Sequence, residues 1–246
     1  MPLFLQRQIN TLKKMLLGLG AACEQQVRDS IAAVVHRDVE LADRVIEGDK
    51  KIDLLEIDVE EECLHTLALH QPVAFDLRYV VAVLKMNNDL ERIGDHAKSI
   101  AEQAKYLAGE AEVSEPPLDL PGLGRRVEQM LRHALDAVVN IDVELAHEVR
   151  VLDDEVDIMH ASSYGRAVEL MRDDPHHSSQ MLHYISVSRQ LERIADHATN
   201  IAKDVLYITE GEIPRHARLR REVQASAGAG GDGASGGGGA SGGSGG

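Results

Sequence analysis

The segment LERIGDHAKSIA at residues 90–101 returns as LERIADHATNIA at residues 191–202, with nine of twelve positions identical. A second pair behaves alike: DVELADRVIEGDKKID at 38–53 is matched by DVELAHEVRVLDDEVD at 142–157. The dodecamers are offset by 101 residues and the earlier segments by 104, so the second copy lacks three residues near 173–175. Such spaced self-similarity means that one supersecondary unit has been used twice. A fold for this chain must therefore bury two copies of the same pattern.

Within each copy the apolar residues recur at helical spacing, and no convincing period-two alternation appears. The pattern predicts helices over about 5–35, 38–69, 72–107 and 123–140, one starting at Asp142, and a last one carrying the second dodecamer. Asp38 and Asp142 read as N-caps, each followed two residues later by a glutamate that suits the first turn. Two Phe, five Tyr and no Trp fit helix packing on Leu, Ile, Val and Ala better than a sandwich or barrel. The expected fold class is all-α: two tandem three-helix bundles with antiparallel neighbours. The boundaries read as 1–110 for the first bundle, 111–122 for a Pro-rich linker and 123–211 for the second bundle. Residues 212–246 read as a basic exit segment followed by a disordered Gly/Ser/Ala tail.

A formal charge of −15 repels phosphate backbones and argues against nucleic acid as a partner. The short cluster Arg215, Arg218, Arg220 and Arg221 reads as a solvated exit rather than a binding patch. Cys23 and Cys63 form no pairing framework, which fits reduced thiols in the cytoplasm. The stretch KKMLLGLGAAC at 13–23 has the outline of a lipoprotein signal, but the helical spacing Leu12, Leu16, Leu19, Cys23, Val27 passes straight through it. No run reaches the roughly 20 apolar residues of a membrane span.

The repeated polar positions carry the chemistry. Glu91 and Asp95 stand four apart, about 40° round the helix from each other, with Asn88, Ser99 and Glu102 on the same face. Leu90, Ile93, Ala97, Ile100 and Ala104 form the opposite, core-facing stripe. Glu192, Asp196 and Asn200 repeat the layout against Leu191, Ile194, Ala198, Ile201 and Val205. On the preceding helices Asp49 and Asp53 make another such pair, as do Asp153 and Asp157. Like charges at this spacing repel by a few tenths of a kcal/mol. Pairs converging from two helices invite a hard or borderline cation such as Mg²⁺, Mn²⁺, Zn²⁺ or iron. Such a site would lie on the outward face. His96 and His197 read as surface or supporting residues beside it, and His160, three after Asp157, as a weaker ligand candidate. No nucleophile–base constellation and no Gly-rich phosphate loop can be assembled.

Two three-helix repeats, each ending in Leu-Glu-Arg-Ile-x-Asp-His-Ala, together with Asp38-Val-Glu-Leu-Ala and Gln71-Pro72-Val-Ala-Phe-Asp76-Leu-Arg78, resemble the PhoU family of phosphate-uptake regulators over residues 4–211. The resemblance implies a cytoplasmic, non-enzymatic negative regulator, a homodimer that touches the membrane only through its partners. Those partners would be the ATPase subunit of a phosphate ABC transporter and the sensor histidine kinase of phosphate signalling. It also implies metal clusters on Asp49, Asp53, Glu91, Asp95, Asp153, Asp157, Glu192 and Asp196. Ser99 stands where the second copy has Asn200, which puts the first site's affinity in question. Asp76 and Arg78 would mark a functional surface that the second copy lacks. Two other readings compete: a metal-free adaptor whose acids meet basic partners, and a carboxylate-bridged metalloenzyme, which would need inward-facing ligands.

Overall fold

The computed structural model describes residues 3–110 and 116–211, and among them finds six α-helices and no strand. Helices α1 (Leu3–His36), α2 (Val39–His70) and α3 (Ala74–Gly109) pack as one three-helix unit. Helices α4 (Leu120–Asn140), α5 (Val143–Asp173) and α6 (Ser178–Glu210) pack as the other, with a 3-10 turn at Pro175–His177 between α5 and α6.

The same local chemistry opens α2 and α5. Asp38 accepts the Leu41 backbone N–H at 2.9 Å and Asp142 accepts that of Leu145 at 3.0 Å. Each fills one of the donors that a helix start leaves unpaired. Just before each cap stands a left-handed residue, Arg37 at φ 53° and Ile141 at φ 52°. The backbone N–H groups of Asp38 and Asp142 then reach back to Ala33 and Ala137, both at 3.0 Å. Glycine usually takes such a position; here Ile141 is held there by packing on the core.

Two helix starts differ from the periodicity reading. Helix α4 begins at Leu120, not 123, because Asp119 accepts the Gly122 N–H at 2.9 Å and Pro121 suits a first turn. Helix α3 begins at Ala74, after an irregular turn in which Gln71 and Ala74 have positive φ. Linker residues 111–115 and the exit segment and tail at 212–246 lie outside the described residues.

One apolar core runs through both units, and α3 with α6 is the most extensive helix pairing. The expected stripes on α3 and α6 are buried throughout. Gly94, Ala101, Ala195 and Ala202, off those stripes, are buried too. Each of these helices packs on both helices of its own unit and on the other's counterpart, which covers more of its girth than one amphipathic stripe. On α1, Leu16, Leu19 and Cys23 point into the core, which accounts for the apolar stretch at 13–23. Among the described residues no helix is long and apolar enough to cross a membrane. Cys23 and Cys63 are buried and unbridged, and burial holds both thiols in the protonated form.

Leu90→Ala, at a fully buried site, is expected to lower unfolding free energy by about 2–5 kcal/mol in urea titration. Leu54→Ala, at a side 64% exposed, is expected to change it by no more than about 0.5 kcal/mol. Equal losses would contradict this placement of the core.

Candidate functional site

The acidic residues lie along the outer edges of the α2–α3 and α5–α6 contacts. In the first half Gly94 of α3 permits a close approach: a Cβ there would meet Ile52 at 2.9 Å and stand 3.6 Å from the Asp49 carboxylate. Asp49 is consequently drawn into the cleft and is only 5% exposed, whereas the helical spacing alone placed it outward. It does not meet Asp53, Glu91 or Asp95 there; Lys98 Nζ holds its Oδ2 at 2.8 Å. Arg92 pairs with Glu91 at 3.6 Å and with Asp95 at 3.5 Å. Asp53 and Glu56 of α2 and Asn88, Glu91 and Arg92 of α3 line one open hollow with Ile57. Burial raises the Glu91 carboxyl above its ordinary range, Asp95 raises it further, and Asp53 and Glu56 add while Arg92 opposes.

In the second half the four acids act on one another. Burial, then Asp196, then Asp157 push Asp153 up to about 6, against the opposing pull of Thr199 and Lys203. Glu192 is raised by burial, by Asp196 and by Asp157, with Arg193 and Arg189 opposing. Among the described residues no ion pair within 4 Å engages any of these four acids. Nor do three or more His, Cys, Asp or Glu side chains stand close enough together anywhere among the described residues to hold a metal ion. The α5–α6 carboxylates are hard oxygen donors, and Lys203, Arg189 and Arg193 act on them from beyond ion-pair distance. On α2–α3 a cation fits less well, because the most buried carboxylate already has an ammonium partner.

The remaining sequence candidates lie elsewhere. Asn200 donates to Asp89 of α3 at 3.4 Å rather than to the acids of its own helix. Ser99, at the matching place, is half-buried. Arg78 donates to the Ile208 carbonyl at 3.2 Å and so ties the start of α3 to the end of α6. Asp76 sits in the first turn of α3, about 22 Å along the axis from Glu91 at 1.5 Å per residue.

The histidines belong mostly to the framework. His96 and His197 stack at the α3–α6 seam with ring centroids 5.4 Å apart. His96 bonds Gln190 of the opposite unit at 2.8 Å and His197 bonds Asp89 at 2.7 Å. His160 is bonded through Nδ1 to Ser188 at 2.7 Å. At the matching place in the first half, buried Asn87 donates to the Glu56 carboxylate at 2.8 Å. Glu56, Lys98 and Asn87 were not among the expected site residues. Superposing the two repeats exposes them, since Glu56 with Asn87 becomes His160 with Ser188, and Lys98 becomes Thr199.

A family model described as PhoU domain matches residues 16–104 and again 120–205. The chain is 38% identical over 223 residues to a Pseudomonas putida protein named phosphate-specific transport system accessory protein PhoU homolog, covering 89% of this chain and 87% of that one. It is 35% identical over 210 residues to the Serratia marcescens protein named phosphate-specific transport system accessory protein PhoU, covering 85% and 86%. Its fold is similar to the crystal structure of PhoU from Pseudomonas aeruginosa, with TM-score 0.81, 37% identity and coverage of 84% of this chain and 99% of that one. A second similar structure is the phosphate transport system regulatory protein PhoU from Streptococcus pneumoniae, with TM-score 0.78, 27% identity and coverage of 85% and 98%.

The Asp153 shift has a definite sign. With a folded-state value of about 6 against an ordinary 3.8, the folded chain binds the extra proton between those limits. Stability therefore falls as pH rises through that window, and the penalty is complete above about 6. Asp153→Asn in metal-free protein is expected to raise unfolding free energy by about 1 kcal/mol at pH 7.5, after discounting for solvent screening, and by nothing near pH 4. Urea titrations at the two pH values check this; a gain that does not change with pH would contradict it.

Proposed function

Because the chain belongs to the PhoU family, matched in both halves and by relatives 37–38% identical along most of its length, we propose that it is an accessory protein of phosphate-specific transport. In this reading it is a non-enzymatic regulator that limits phosphate uptake and keeps phosphate-starvation signalling off when phosphate is ample. It does so from the cytoplasm, as a homodimer, by bridging the ATPase subunit of the transporter and the sensor histidine kinase. The observation that carries the reading is the family match to both repeats, with the Glu-Arg-Ile-x-Asp motif standing twice on paired central helices. An adaptor needs rigid rods with polar faces, and the α3–α6 pairing supplies them.

Metal binding is part of the proposal for the α5–α6 face, where Asp153, Asp157, Glu192 and Asp196 would hold the ion. A bound divalent or trivalent cation would neutralise these carboxylates and tie α5 to α6. The metal-free adaptor reading is favoured on the α2–α3 face by the Lys98–Asp49 ion pair. Nothing in the placement of the acids favours a metalloenzyme, since Asp53, Asp157 and Asp196 are exposed at the outer edge rather than set in the core.

Deletion of the gene is expected to switch on a phosphate-starvation reporter in phosphate-rich medium, and the intact chain supplied in trans is expected to silence it again. A reporter that stays silent in the deletion strain would overturn the regulatory reading. Supplying Glu192→Gln/Asp196→Asn instead is expected to leave the reporter on while circular dichroism shows a folded protein.

A further inference from the structure

Helices α3 and α6 run antiparallel, as the bonds from Arg78 to Ile208, His96 to Gln190 and His183 to Gln103 record. The α2–α3 turn and its equivalent in the second repeat, the α5–α6 turn, therefore stand at opposite ends of that pair. They are built from different chemistry. Leu69, Phe75 and Leu77 stand where the second repeat has Asp173, His176 and Ser178. Together with Val73, and with Phe4 at the start of α1, they are between 41% and 75% exposed. The Gln8–Glu62 bond sets Phe4 level with the last turns of α2, at this same end. A polar turn joins α5 to α6, with Asp174 accepting the His176 N–H at 3.1 Å, so connecting two such helices does not require the apolar side chains. Single exposed apolar residues are ordinary, but five at one end of a bundle mark a surface that meets something.

The charges around this end select its occupant. Glu60, Glu61 and Glu62 lie within about 14 Å of Leu69 along α2 at 1.5 Å per residue. Asp76 stands in the first turn of α3 and Glu210 ends α6. Against these acids stand two arginines, Arg7 and Arg78, and Arg78 is already tied to the Ile208 carbonyl. Two copies meeting through this end would set the acids against their own equivalents, and an anionic bilayer would be repelled by them. We propose that the α2–α3 turn is a docking surface for a protein partner that offers an apolar groove rimmed with basic side chains. Leu69, Val73 and Phe75 anchor the contact, and the acids pair with the rim and steer the approach. This rests on the adaptor reading of the proposed function and adds which end of the molecule meets a partner. The α5–α6 turn offers no such anchors.

The test titrates the detergent-solubilised phosphate transporter, and separately the sensor kinase, into the fluorescently labelled full chain and reads anisotropy. Leu69→Ser/Phe75→Ser is expected to weaken binding to one of them about tenfold or more. Glu60→Lys/Glu61→Lys is expected to weaken the same complex and to flatten its dependence on salt. Ile158→Ser, at an exposed side of α5, is expected to bind as the parent does. All these positions face solvent, and circular dichroism checks that each variant is folded. Affinity unchanged in Leu69→Ser/Phe75→Ser, or lost equally in Ile158→Ser, would overturn the inference and leave the adaptor reading standing. So would light scattering in which the parent is a dimer and Leu69→Ser/Phe75→Ser a monomer, which would make this end a contact between copies. Sedimentation of the parent, but not of that variant, with phosphatidylglycerol vesicles would assign the surface to lipid and overturn it as well. Failure of the parent to bind either protein would remove the adaptor reading itself.

Discussion

The burial of α3 against α6 is the interaction on which the other features depend. Each of these helices also packs on both helices of its own unit, so only a narrow outer edge of each stays uncovered. The side chains on the covered faces are Leu90, Ile93 and Ile100 with their counterparts Leu191, Ile194 and Ile201, all fully buried. Burying one such residue is worth about 1.5–3 kcal/mol. Two carboxylates at i,i+4 cost only a few tenths of a kcal/mol. The packing therefore decides where the helices lie, and the acids accept whatever separation it leaves them. That is how one fold can hold like charges side by side twice.

The seam is not purely apolar. His96 reaches across to Gln190 and His197 reaches back to Asp89, with the two rings stacked between them. Gln190 and Asp89 are equivalent positions of the two repeats, so the contacts cross in a two-fold manner. Burial and the neighbouring His197 lower the His96 value below its ordinary range, which keeps that ring neutral near pH 7 and able to stack. Partly buried polar groups need partners. A slip of one helix along the other would strand these rings as well as the side chains around them, so the crosswise bonds help to fix the register of α3 on α6.

Much of this was legible in the sequence. The duplication, the all-helical class, the caps at Asp38 and Asp142 and the core stripes of α3 and α6 all follow from period and spacing, which report which residues share a face. Periodicity says nothing of depth. Asp49 sits in the cleft because Gly94, on a different helix, has no side chain to keep α2 away, and no pattern within α2 records that. Helix α4 starts early for a local reason, since the Asp119 cap precedes the apolar repeat by a turn. His96 and His197 were read as surface residues because a helix facing one neighbour would expose them; α3 and α6 face three. Arg78 looked like a marker of a functional surface, yet its guanidinium meets the carbonyl of Ile208, a partner 130 residues away that no local motif reveals.

The two halves also separate structural from functional divergence. Where a polar contact between helices is kept, both of its members have changed together: Glu56 with Asn87 in one half, His160 with Ser188 in the other. Coupled change of this kind preserves a bond and alters only its chemistry. Where one member alone differs, the ion pair is lost, as when Lys98 is replaced by Thr199 while Asp49 and Asp153 stay the same. Loss on one side leaves the half-buried Asp153 carboxylate with only the weaker pull of Lys203 from beyond ion-pair distance, which costs the folded state free energy at neutral pH. The second face thus carries a cost at neutral pH that the packing of its core stripes does not remove.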